Sequence, residues 1–243
     1  MSQSILYSGT KNASSWALRA WLALRAAGVP FQEQVVDIRR PQRFQELAAI
    51  GRFSPPAMVP VLVVDGTVIF DSLAIMEYAN DCCGSSLLPD EPLDRAQARA
   101  LVAWQHSGLS NIAPRISFES AFYRLKRSLT EVEIAETARL FNWLEPLLQR
   151  SRRPYLFGAL SLADCALTPT VVRLLRHDVP LDRWPLCNEW SAHVLEHPLV
   201  REWLEVADGL QPIWYDEYLM PGTRIDLHPS FPAANAEQPD ARR

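Results

Sequence analysis

No run in the 243-residue chain approaches the roughly 20 consecutive apolar residues that a membrane-spanning helix needs, and its start lacks a charged stretch followed by an apolar one. Neither a membrane span nor a secretory leader is therefore expected. Charge of one sign is also missing. With 24 Lys and Arg against 28 Asp and Glu, the formal net charge of -4 gives no electrostatic reason to bind nucleic acid or a membrane surface. Cysteine is sparse and unpatterned: Cys82, Cys83, Cys165 and Cys187 form no C-x-x-C pair and no metal spacing, and adjacent Cys82 and Cys83 are poorly placed to bridge each other. The five histidines are scattered singly. Reduced structural thiols, no metal and a cytoplasmic setting are the resulting expectations.

What is present is an ordinary globular composition, 48% hydrophobic and 21% charged, in a chain long enough for one large or two small domains. Two fit better. Ser4 to Ser8 reads as a strand, followed by a loop over Gly9 to Asn12 and a helix capped by Ser14 or Ser15 that runs to the stop signal Gly28 and Pro30. Phe31 to Ile38 is a second strand, Pro41 to Leu47 a short helix, and Pro55-Pro56 ends regular structure. The polar, proline-punctuated stretch from Gly84 through Pro92 reads as a linker, which gives domains at 1–83 and 94–209 around a linker at 84–93, with an extension at 210–243. Beyond it, Leu93 to Gly108, Glu131 to Arg150, Leu162 to Leu175 and Trp190 to Ala207 carry apolar residues at helical spacing. Ser161 and Asp164 form a capping-box start.

The stretch from Met58 to Ser72 carries the chemistry. A proline entering an apolar strand cannot donate at its own position, so Pro60 belongs at the first residue of the strand, with a cis Val59-Pro60 bond. That geometry leaves the N–H and C=O of Val59 facing outward, able to pair with an extended peptide ligand. Val61 to Val64, the turn Asp65-Gly66 and Val68 to Phe70 read as a hairpin. Eleven residues after Pro60, Asp71-Ser72 heads an amphipathic helix with Ser72 as its cap, and the free N–H groups there favour a carboxylate. Ser72 as a plain cap and Pro60 as an edge device are the structural alternatives.

The order strand, helix, strand, helix, strand, strand, helix, then helices alone, resembles the cytosolic glutathione transferases over roughly residues 4 to 208. Ile5-Leu6-Tyr7-Ser8, the run ending in Ser14-Ser15-Trp16, the segment Gly66 to Tyr78 and the Ser161/Asp164 box are most similar to the zeta class and its bacterial relatives. The resemblance implies an α/β thioredoxin-like N-terminal domain joined to an all-α C-terminal domain, a homodimer with the helix after Leu93 at the interface, and glutathione as co-substrate without a metal. Ser14 is then the first choice to donate to the glutathione sulfur, Asn12 the second and Ser15 the third, with helix capping as the rival role for either serine. Val59 would pair with the cysteinyl backbone, Met58 and Pro60 would flank it, and Asp71 and Ser72 would hold the γ-glutamyl group. Met58 stands where relatives often carry Gln or Lys, and Arg52, Arg43 or Arg40 are candidates for the glycine carboxylate. A pocket for an electrophile would draw on Lys11, His106 and Arg115, with Thr10, Trp104, Ile112 and Phe118 around it and the aromatic residues Trp214, Tyr215 and Tyr218 covering it. Two further functions stand beside thiol transfer: glutathione-dependent isomerisation of a conjugated diacid of the maleylacetoacetate type, and non-catalytic binding on the same fold.

Overall fold

A computed structural model describes residues 4–39, 42–84, 86–107, 109, 112, 115–151 and 154–212. Its first part is a four-stranded sheet with strand order β2-β1-β3-β4, formed by β1 (Ser4–Gly9), β2 (Gln32–Val36), β3 (Val61–Val64) and β4 (Thr67–Phe70). β1 and β2 run parallel, which requires a crossover, and α1 (Ser15–Ala26) supplies it. The β3-β4 hairpin closes on Asp65 (φ 46°) and Gly66 (φ 82°), the two left-handed positions that a type I′ turn demands. Helices α2 (Arg43–Ile50) and α3 (Ser72–Cys82) complete this unit.

α1 is buried from Ala17 through Leu24. One face meets α3, and others meet α6 and α8. It therefore belongs to both halves of the core. The second half is helical: α4 (Pro92–Ser107), a 3-10 turn at Glu119–Phe122, α5 (Glu131–Ser151), α6 (Leu162–Leu175), α7 (Pro185–Glu196) and α8 (Pro198–Gly209). α6 is buried nearly all round and lies against α1, α4 and α7, as a helix at the centre of a bundle must. The capping box at its start is complete. The Asp164 carboxylate accepts from Ser161 N (2.9 Å), Ser161 Oγ (2.6 Å), Leu156 N (3.1 Å) and Trp190 Nε1 (2.8 Å). Four donors on one buried carboxylate fix the entry to α6 and anchor α7 to it.

Two sequence expectations change. Ser72 is not the cap of α3; Asp71 is, with Oδ1 accepting from Leu73 N at 2.8 Å, and Ser72 is the first helical residue. Trp190 to Ala207 is not one helix. The residue before a proline is driven out of the helical region, and His197 (φ -57°, ψ 131°) breaks the run into α7 and α8. Among the described residues no helix is long and apolar enough to cross a membrane.

Candidate functional site

A cavity of about 350 Å³ opens where the heads of α1 and α3 face the turn before β3. Trp16 comes from α1; Pro56, Met58, Val59 and Pro60 from the turn; Phe70, Asp71 and Ser72 from the β4-α3 junction; His106 from the end of α4. The Val59-Pro60 bond is cis. Neither the N–H nor the C=O of Val59 takes part in a backbone hydrogen bond among the described residues, so both are open to a strand-like ligand. Asp71 adopts φ 75°, ψ 130°, a backbone region that costs a non-glycine residue about 1–3 kcal/mol. Its second oxygen lies 3.6 Å from His106 Nε2, and the His106 ring packs edge-on against Trp16.

Gly9 explains how the head of α1 reaches this turn. A Cβ there would come within 2.6 Å of Ser14 Cβ and 3.1 Å of Val59 Cγ2, so the bare glycine lets both side chains close over the end of β1. Ser14 caps α1 by accepting from Ala17 N at 3.2 Å. Its oxygen is used as an acceptor, while its proton has no acceptor among the described residues. Behind it stand two buried cations. The Arg19 guanidinium lies 4.0 Å from the Trp16 ring centre, and its Nε and Nη1 are buried without partners. Burial drives its pKa well below the usual value, helped by nearby Arg173 and opposed by Asp71. Arg173 donates to Ser15 Oγ at 3.0 Å.

Residues 13–82 match the family described as glutathione S-transferase, N-terminal domain. A probable maleylacetoacetate isomerase of Caenorhabditis elegans is 29% identical over 201 residues, covering 80% of this chain and 89% of the relative. The fold is that of an epsilon-class glutathione S-transferase from the housefly Musca domestica (TM-score 0.68, 23% identity, 85% of this chain and 94% of that one) and of a Drosophila mojavensis glutathione transferase homologue with bound glutathione (TM-score 0.65, 20% identity, 86% and 98%). Residues 13–82 carry the N-terminal domain of the glutathione S-transferase family, and the chain has the fold of those enzymes.

The structure gathers Met58, Val59, Pro60, Asp71, Ser72 and His106 around one cavity, with Ser14 and Val59 both close over Gly9. Other expected residues lie elsewhere. Lys11 does not line the cavity: its ammonium bonds Glu33 at 2.8 Å and sits 3.9 Å from the centre of the Trp203 ring, because a buried amine needs a counter-charge and finds one on β2. Asn12 turns toward α8, its Nδ2 donating to Leu210 O at 3.2 Å, and its Oδ1 is buried without a partner. Thr10 bonds Asp37. Arg115 is exposed, away from the cavity lining. Trp104 packs against Trp143, and Ile112 and Phe118 are core. Tyr7, half-buried, packs at a tilt against Phe53. Arg52 is exposed and Arg43 lies beside Phe44; neither lines the cavity. Arg40, Trp214, Tyr215 and Tyr218 lie outside the described residues. Among the described residues no group of three His, Cys, Asp or Glu could hold a metal.

Trp16, Arg19 and Arg173 are the features that motif spacing did not single out. Arg19 had a readable signal: a cation inside the run Ala17 to Leu24, apolar at every other position, cannot reach solvent whichever way the helix turns.

Proposed function

We propose that this chain activates the thiol of glutathione at the N-terminus of α1 for attack on a small electrophile. The observation that carries the reading is the convergence of Ser14 and Val59 on Gly9, which brings an unused hydroxyl proton and a helix terminus to the same side of the fold as an unpaired strand-like backbone. The cysteinyl backbone of glutathione would lie antiparallel to Val59. Its γ-glutamyl group would reach Asp71, which pairs with the ammonium, and Ser72, which donates to the carboxylate alongside the N–H groups of α3. Arg19, whose Nε and Nη1 have no hydrogen-bond partner and whose charge Asp71 favours, adds positive charge on that side.

A free thiol has a pKa of about 8.5 and is mostly protonated at neutral pH. Lowering it by two units requires about 2.7 kcal/mol of preference for the thiolate. One hydrogen bond from Ser14 Oγ and the field of α1 are of that order. The thiolate then attacks the electrophile, the carbon–sulfur bond forms, and the leaving group departs with its electron pair, or a conjugated double bond takes up the charge. No covalent enzyme intermediate is involved, and the first loop has no cysteine for disulfide exchange.

The second reading is reversible thiolate addition to a conjugated diacid followed by rotation and release, which the name of the worm relative favours. It needs cations for two carboxylates, and Lys11 is already committed to Glu33. Conjugation is therefore preferred. Non-catalytic binding on the same fold is the third, favoured by Met58, whose thioether in the cavity wall is only a weak acceptor, and by Asn12, which turns toward α8. A homodimer through α4, where Leu93 is exposed, a cytoplasmic setting and domains at 1–83 and 94–209 belong to the same proposal.

The test is a rate measurement with glutathione and two substrates, an aryl halide and a cis-conjugated diacid. Conjugation that collapses in Ser14→Ala supports the first reading. Isomerisation without conjugation transfers support to the second, and glutathione binding with neither reaction supports the third.

A further inference from the structure

Arg173 is a buried charge without a counter-charge. It sits on α6, and each of its donors is directed to a neutral acceptor: Nε to Ile116 O (2.8 Å), Nη1 to Pro169 O (3.4 Å) and Nη2 to Ser15 Oγ (3.0 Å). The Phe118 ring covers it at 5.2 Å. Burial alone lowers its pKa, to about 10, which leaves it protonated at neutral pH. The neutral acceptors around it call for donors and not for a charge. An apolar side chain of similar length would remove the desolvation penalty but leave the Ile116 carbonyl without its donor.

The position of the charge suggests its use. Ser15 is the first residue of α1, where the helix dipole is already positive, and the hydrogen bond from Arg173 adds a full charge to that end instead of cancelling it. Because Ser15 Oγ accepts from the guanidinium, its own proton must point away from Arg173. The other charged or titratable groups near the head of α1 are Arg19 on α1 itself, Asp71 at the head of α3, His106 on α4 and Lys11 in the preceding loop. Lys11 is neutralised by Glu33, and Asp71 is half exposed and screened by solvent. The two arginines dominate what remains.

We propose that Arg173 is a positioning residue for thiolate formation: through the Ser15 hydroxyl it fixes the first turn of α1 and adds a buried positive charge at the helix terminus facing the glutathione sulfur. This rests on the reading that glutathione binds at that terminus. Arg173 touches no substrate. It acts by making the site more hospitable to an anion, from the helical half of the molecule.

The thiolate of bound glutathione is titrated by difference ultraviolet absorbance in the unmodified protein, in Arg173→Met and in Arg173→Lys. The methionine variant loses the desolvation penalty of a buried charge and the donor to Ile116 O, costs of opposite sign, and is expected to fold. Its bound thiol should titrate about one unit higher than in the unmodified protein, with the acid limb of the conjugation pH profile moving in parallel. The lysine variant should recover most of that shift. Equal titration of the methionine and unmodified proteins overturns the inference, as does a lysine variant no better than methionine, which would leave Arg173 a packing strut. If Arg173→Met does not fold, Ser15→Ala cuts the link with the charge in place; a smaller rise is expected, and no rise overturns the proposal. Absence of thiolate in the unmodified protein rejects the glutathione reading itself, and this inference with it.

Discussion

The indole N–H of Trp203 on α8 donates to the carbonyl of Lys11 at 2.9 Å, joining the last described helix to the loop that precedes α1. The same indole ring lies under the Lys11 ammonium, and Asn12 Nδ2 donates to Leu210 O just past α8. The loop that presents Ser14 is thus held from the C-terminal side of the molecule. Trp203→Phe keeps a ring for the cation and deletes the donor, leaving a buried carbonyl unsatisfied. A loss of about 1–3 kcal/mol in chemical denaturation is expected, with weaker glutathione binding because the loop is less fixed. An unchanged denaturation midpoint would contradict this role.

Arg19 gives a prediction of opposite sign for stability. A buried guanidinium with two unpaired nitrogens costs the ligand-free protein desolvation that the Trp16 ring repays only in part. Arg19→Met should therefore raise the thermal midpoint of the ligand-free protein, while glutathione should stabilise the variant less than it stabilises the parent. A thermal-shift series with and without glutathione checks both. A destabilised variant that still responds fully to glutathione would remove Arg19 from the site.

The acid sensitivity of the fold should be traceable in part to Glu133. Its carboxylate is buried, which pushes its pKa up, but a two-pronged bond from Arg127 (2.6 and 2.8 Å) and the Thr130 N–H (2.8 Å) outweigh burial and hold it below 4.5. A depressed carboxylate contributes stability above its unfolded pKa, and that contribution is lost as pH falls through the folded value. Glu133→Gln should cost about 3 kcal/mol at pH 7. The gap to the unmodified protein should narrow as pH drops below about 4.5. Denaturant titrations at several pH values would show it; a gap independent of pH would contradict the assignment.

Much of this was legible in the sequence because local rules agreed with the fold. Val59-Pro60, Asp65-Gly66 and Ser161/Asp164 are short-range signals whose geometry depends on a few neighbours, and each takes the expected form. The errors lie where a long side chain or a competing neighbour decides. Lys11 is adjacent in sequence to the first-loop residues yet reaches sideways to Glu33, a partner 22 residues away. Ser72 loses the cap of α3 to Asp71, whose positive φ no propensity would suggest. Arg173 meets Ser15 across 158 residues, and no spacing rule connects them.

The central claim is that a thiolate forms at the head of α1, so the most direct measurement is the ultraviolet titration of glutathione bound to the unmodified protein and to Ser14→Ala and Asn12→Ala. Thiolate at neutral pH is expected in the unmodified protein, lost in Ser14→Ala beyond the helix-cap cost of about 1 kcal/mol, and largely kept in Asn12→Ala. Glutathione that binds only as the neutral thiol, or does not bind, would contradict it.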